Sequence, residues 1–218
     1  MDYSQSKSFE YENGFYLTAK EGRMGRAIAH YELYKKVIDV PGDIVECGIF
    51  KGVSFMRFMM FMHLFETQSA RKIIGFDVFD LFPDTNYEED KGELKLFVEE
   101  TGGGKSITKE DLEKYIDGKG HKNYELVKGD ILATVPKYVQ DHPELKISLL
   151  NIDTDIYEPA KTIVEHLAPR VVQGGIIIFD DYGVFPGETK IADDYCKKTG
   201  SRMRKFPFSK VPSYLIVE

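Results

Sequence analysis

Two apolar stretches in the second half of the chain each run into a pair of acids. Lys146-Ile-Ser-Leu-Leu-Asn-Ile-Asp-Thr-Asp-Ile-Tyr157 delivers Asp153 and Asp155, and Gly174-Gly-Ile-Ile-Ile-Phe-Asp-Asp-Tyr182 delivers Asp180 and Asp181. Glu158 to Leu167 lies between them and is long enough for one crossover helix, so the segment reads as a βαβ unit. A right-handed crossover makes both strands parallel in one sheet, with their carboxyl ends on the same edge. Adjacent strands lie about 4.8 Å apart, so three or four carboxylates converge there. Like charges that close raise one another's pKa. A hard divalent cation relieves them, because such ions take oxygen ligands. Asp153, Asp180 and Asp181 are the candidate metal ligands, and Asp155 is a supporting partner or a turn residue. The competing reading makes Asp180-Asp181 a cap and Asp153 a turn residue, which leaves the repulsion uncompensated.

Further candidates come from earlier in the chain. Glu46-Cys-Gly-Ile-Phe-Lys-Gly52-Val-Ser54 is a glycine-bearing turn between a strand and a helix. It lacks the G-x-G-x-x-G spacing that a dinucleotide pyrophosphate needs. It opens instead with an acid, which suits a cationic part of a ligand such as an amino group. Gly48 and Gly52 stand four apart in this turn, and Lys51 between them either meets a ligand carboxylate or is solvated. Asp77 ends a second strand, where a carboxylate accepts ribose hydroxyls or caps a helix. Asp130, in Gly129-Asp130, either holds an adenine amino group or is a turn acid. The five histidines show no zinc spacing; His30, His63 and His166 lie in helical stretches and read as structural.

The elements that position these residues alternate strand and helix. Apolar spacing predicts a helix over Met24 to Val37, ended by Pro41-Gly42. A strand Asp43–Cys47, a helix Val53 to Thr67 and a strand Lys72–Asp77 follow. Residues 80–123 break the rhythm; two short helices are expected there, Glu93–Glu100 and Lys109–Tyr115, the second capped by Thr108. An insertion this long in a compact unit reads as a substrate lid. Tyr124–Lys128 is a third strand and Thr134 to Gln140 a helix. After the acid-tipped pair come a helix Ile191 to Lys198 and two closing strands, Arg202–Phe206 and Ser213–Val217, with at least one antiparallel pairing. The fold class expected is α/β, a doubly wound, mostly parallel sheet. Ligands of such sheets sit beyond the strand carboxyl ends at the switch point, and every candidate falls on that edge.

Composition narrows the field. The chain's 218 residues fit one domain, with residues 1–22 as a polar, aromatic arm that packs on the domain or on a second copy. A net charge of -7 argues against nucleic acid as the main partner. No apolar run reaches the ~20 residues of a membrane helix, and the amino terminus is too polar for a signal peptide. Cys47 and Cys196 form no disulfide or metal pattern, which fits a reduced, cytoplasmic setting.

Val45 to Gly52, Asp77, Gly129-Asp130, Asn151-Ile-Asp-Thr-Asp-Ile-Tyr-Glu-Pro159, Pro169-Arg170 and Gly174 to Tyr182 together resemble the macrocin O-methyltransferase family, from about Met24 to Tyr182. Pro159-Ala160 stands where family members often carry Ser-Thr. The resemblance implies a seven-stranded class I methyltransferase fold and an S-adenosylmethionine-dependent enzyme that methylates a hydroxyl of a sugar or a sugar-containing natural product. It implies that Glu46 holds the methionine amino group within the Gly48–Ser54 loop, Asp77 the ribose and Asp130 the adenine. Magnesium would sit on Asp153, Asp180 and Asp181, with Asp153 also the base. Such enzymes often form homo-oligomers. Rival readings are a small phenol or peptide as acceptor, a non-catalytic S-adenosylmethionine-binding protein, and an aspartate-dependent phosphatase. The last uses Asp-x-Asp after its first strand, whereas here the motif follows at least three.

Overall fold

The computed structural model describes residues 3–218. Seven strands form one sheet in the order β3-β2-β1-β4-β5-β7-β6. They are β1 (Asp43–Cys47), β2 (Ile73–Asp77), β3 (Tyr124–Lys128), β4 (Ile147–Ile152), β5 (Val171–Phe179), β6 (Arg204–Lys205) and β7 (Ser213–Ile216). The first five are mutually parallel, while β7 runs antiparallel to β5 and β6 antiparallel to β7. Strand order reverses between β1 and β4, the switch point at which such sheets place ligands.

Alternation along each strand sends apolar side chains to both faces. On one face Val45, Ile74, Leu150 and Ile177 pack with α6 (Ile131–Asp141), α7 (Tyr157–His166) and α8 (Pro186–Thr199). On the other Ile44, Ile73, Leu149 and Ile178 pack with α2 (Glu21–Lys35), α3 (Val53–Phe65) and α5 (Lys109–Gly118). Glu46, Asn151 and Ile178 are in register, so Glu46, Asn151 and Asp180 share the face covered by α2 and α3.

Most elements lie where the spacing of residues places them, but α6 and α8 start early, α8 at Pro186 instead of Ile191. Helix α6 starts three residues earlier than expected, because Asp130 accepts the Leu132 N–H at 2.9 Å and caps it. The arm expected over residues 1–22 begins outside the described residues. Its remainder carries a helix with no buried residue, α1 (Ser8–Thr18), and Tyr3 N–H donates to the Tyr115 hydroxyl of α5 at 3.0 Å. The 80–123 segment holds α4 (Lys91–Glu100) and α5, the latter capped by Thr108, which accepts the Asp111 N–H at 3.1 Å. It is tied down at both ends. Fully buried Asp90 accepts the backbone N–H groups of Tyr157 at 2.9 Å and Gly187 at 2.7 Å, at the starts of α7 and α8. Ser106 and Ile107 donate to the Phe50 carbonyl at 2.7 Å each.

Candidate active site

A cavity of about 950 Å³ opens over the carboxyl ends of β1, β2, β4 and β5. The 80–123 segment roofs it with Phe82, Leu96, Phe97, Glu93 and Glu100, and Phe185 closes one side. Of the residues expected at a cofactor site, Gly48, Lys51, Ser54, Asp77 and Asp130 line it. Gly52 starts α3 with φ 80°.

Three of these side chains are engaged differently from expectation. Asp77 Oδ2 accepts the N–H of Ile49 at 2.7 Å and of Phe50 at 2.9 Å; Oδ1 accepts the N–H of Phe79 at 2.6 Å and the Ser106 hydroxyl at 3.2 Å. The carboxylate expected to take a ribose diol thus braces the glycine turn, with its acceptor positions filled. Lys51 donates to the Lys105 carbonyl and lies 4.8 Å over the Phe50 ring, so it fastens the roof. Asp130 spends one oxygen on its helix cap.

Glu46 is fully buried behind Ser54, whose hydroxyl donates to Oε1 at 2.8 Å. Its other oxygen has no hydrogen-bond partner among the described residues. Burial pushes its pKa up to about 8, against the pull of Ser54 and Asn151.

At the strand ends, β4 and β5 bring the acids together as the βαβ reading requires. Oxygens of Asp153, Asp155 and Asp181 lie within 4.8 Å of one another. Burial and then the charge of Asp180 hold Asp153 well above the usual carboxylate range, and burial followed by Asp181 does the same to Asp155. Asp155 adopts φ 62°, a left-handed conformation that Asp tolerates better than most residues. Glu188, buried in the first turn of α8, accepts the Asp181 N–H at 3.0 Å and adds a fifth acid.

Sequence reasoning missed the cations that face this cluster. Arg26 Nη1 lies 2.8 Å from Asp180 Oδ2, an ion pair off the angle of a hydrogen bond, and Arg26 Nη2 donates to Asp181 at 3.3 Å. His30 Nε2 is 3.3 Å from Asp180 Oδ1, and Arg57 Nη1 donates to His30 Nδ1 at 3.0 Å. A guanidinium only donates, so Nδ1 accepts and the imidazole proton sits on Nε2, facing Asp180. Burial opposes ionisation of Asp180, yet His30 and Arg26 outweigh it and hold its pKa below the usual value. Asp180 is therefore the acid of the cluster that the cations of α2 favour in its ionised form, and it faces α2 as its strand parity dictates. Arg26 and His30 stand four apart on one helix face, the spacing that could have marked them.

This sheet order with an antiparallel seventh strand, its glycine turn after β1 and its acids after β4 and β5, defines the fold of class I methyltransferases. Within that class, the family model described as macrocin-O-methyltransferase (TylF) matches residues 26–205. The chain belongs to this family. A 4'-O-methyltransferase of Streptomyces olivaceus that acts on 8-demethyl-8-(2,3-dimethoxy-alpha-L-rhamnosyl)-tetracenomycin-C is 26% identical over 151 residues, 66% of this chain and 54% of that protein. Demethyldecarbamoylnovobiocin O-methyltransferase of Streptomyces niveus is 24% identical over 164 residues, 73% of this chain and 60% of that protein. The chain thus spans just over half the length of each of these curated relatives. Among solved structures, the calicheamicin methyltransferase CalS11 superposes with TM-score 0.78 at 28% identity, covering 98% of this chain and 86% of that one. The O-methyltransferase NovP shares the fold, with TM-score 0.75 at 21% identity over 88% and 79% of the two chains. No helix of the described residues is long and apolar enough to cross a membrane.

Proposed function

We propose that the protein is an S-adenosylmethionine-dependent O-methyltransferase acting on a sugar hydroxyl of a small molecule. The observation that carries this reading is the meeting, at one switch point, of the glycine turn with a cluster of buried acids. The Streptomyces olivaceus relative, whose named acceptor carries a rhamnosyl group, and CalS11, described as a TDP-rhamnose 3'-O-methyltransferase of calicheamicin biosynthesis, support the acceptor class.

The geometry supports the following roles. Glu46, with its unpartnered oxygen, receives the methionine amino group behind Ser54. The turn Gly48–Gly52, braced by Asp77, supports the ribose, and Asp130 and the start of α6 border the adenine. The acid set fits a magnesium ion, because its members are buried oxygen donors with too little counter-charge among them. Asp153 and Asp181 would hold it together with Asp155, whose oxygens converge within 4.8 Å, whereas Asp180, expected as the third ligand, faces Arg26 and His30 and would join only on leaving them. When bound, the ion would lower the pKa of the acceptor hydroxyl and fix its direction. Arg26 bridges Asp180 and Asp181 and would compete with the ion for both. Asp153 takes the hydroxyl proton as the oxygen attacks the sulfonium methyl in line. Residues 80–123 act as the lid that excludes water and shapes acceptor choice.

The test is Asp153→Asn. Methyl transfer to a nucleotide-linked or glycoside rhamnose should fall at least 100-fold, with cofactor affinity nearly unchanged. Full turnover in that variant, or no binding of S-adenosylmethionine by the wild type, overturns the reading.

A further inference from the structure

Arg57 is the one cavity-lining guanidinium for which burial and charge balance are at odds. It lies on α3, one turn beyond Ser54, and both line the cavity. Its Nη1 is committed to His30. Among the described residues no carboxylate lies within ion-pair distance of it, and no group accepts from its Nε or Nη2. These nitrogens are not sealed in protein either, since none is a buried donor lacking a partner. The free edge of the fork therefore faces the cavity.

The charges around it make this arrangement costly without a ligand. Burial lowers the Arg57 pKa, and Arg23 and Arg26 of α2 push it further down, against attraction from Glu46 and Asp180. Asp180 is already spoken for by Arg26 and His30. Glu46, the strongest attractor, stays largely protonated at neutral pH, its pKa being about 8. Two opposite groups thus flank Ser54 without reaching each other, an acid with an idle oxygen and a guanidinium with an idle edge. A zwitterion placed between them satisfies both: an ammonium for Glu46 and a carboxylate for Arg57. Guanidinium forks bind carboxylates bidentately, and such charge-assisted bonds are about twice as strong as neutral ones.

We propose that Arg57 is the receptor for the carboxylate of the methionine moiety, so that Glu46 and Arg57 together read the amino-acid end of the cofactor. This rests on the reading of the cavity as an S-adenosylmethionine site. The cofactor is selected here by both charges of its amino acid, whereas the glycine turn and α6 handle the nucleoside.

Calorimetry with S-adenosylmethionine and with its decarboxylated form, which keeps the sulfonium, the amine and the adenosine, tests the assignment on the full chain. The wild type should prefer the carboxylate-bearing compound by on the order of 10- to 100-fold. In Arg57→Met that preference should vanish, through weaker S-adenosylmethionine binding and unchanged binding of the decarboxylated form. Arg57→Lys, which keeps the charge and loses the fork, should retain part of it and covers the case in which the methionine variant does not fold. A wild type that binds both compounds equally overturns the proposal even without any variant. So does an Arg57→Met protein that loses both equally, or one that binds both normally and shows only a raised KM for acceptor, which would place the anion on the acceptor. A wild type that binds neither compound instead removes the cofactor reading itself.

Discussion

A Cβ placed on Gly48 would lie 1.8 Å from the carbonyl oxygen of Asp153. The glycine turn after β1 and the acid at the end of β4 are therefore in backbone contact, and Gly48 takes φ 90° besides. No side chain fits there without parting the two strand ends. Gly48→Ala is expected to abolish cofactor binding and to lower thermal stability by several degrees, read by calorimetry and a melting curve; a variant that melts and binds like wild type contradicts this contact.

Cofactor binding should move a proton. Glu46, at a pKa of about 8, is mostly neutral in the free protein below that pH. An ammonium beside it favours the ionised form. At about pH 6.5, where an α-amino group is already protonated, binding should release close to one proton. Calorimetry in two buffers of different ionisation enthalpy measures this, and Glu46→Gln should abolish the release. The same shift sets a stability trend. A folded-state pKa above the unfolded value means the folded state holds the proton longer, so Glu46 makes the ligand-free protein less stable as pH rises from about 4.5 towards 8.

Arg26 competes with any cation for Asp180 and Asp181. Replacing it with Met removes a guanidinium that lies 2.8 Å from one and 3.3 Å from the other. Affinity for Mg2+ or Mn2+ should rise roughly tenfold or more, measured by calorimetry or by manganese electron paramagnetic resonance. Unchanged or weaker binding would mean that the guanidinium and the ion occupy different places.

Asp90 is a stability test. Asp90→Ala strips the partner from two backbone N–H groups, those of Tyr157 and Gly187, at about 1–3 kcal/mol for each buried donor left unpaired. Faster hydrogen exchange at these two amides and in α4, with the sheet unaffected, is the expected pattern.

The sheet was legible because its strands are apolar runs bounded by turns, and Asp43–Cys47 and Tyr124–Lys128 coincide with the expected spans. That acids gather there was legible because parallel neighbours put the ends of β4 and β5 on one edge, but the set that converges is Asp153, Asp155 and Asp181. What the chain's linear order hides is the partner across the face. Arg26 and His30 lie 150 or more residues before the acids they meet, and only the parity of Asp180 on β5 directs it to α2. The role of Asp77 was left open by the sequence for a related reason. A strand-end acid beside a glycine turn can bind a ligand or bind the turn, and its choice depends on where the amides of Ile49 and Phe50 point. Asp130 likewise serves its helix first.

The tethering of residues 80–123 bears on how new specificities arise in such a scaffold. Asp90 fastens this span to the starts of the two helices that follow the acids, while Ser106 and Lys51 sew it to the glycine turn. Its inward residues Phe82, Glu93, Leu96 and Phe97 hang from those anchor points without sharing them. Evolution, or an engineer, can therefore rewrite that inner surface for a different ligand while the acid cluster and glycine turn underneath keep their dimensions.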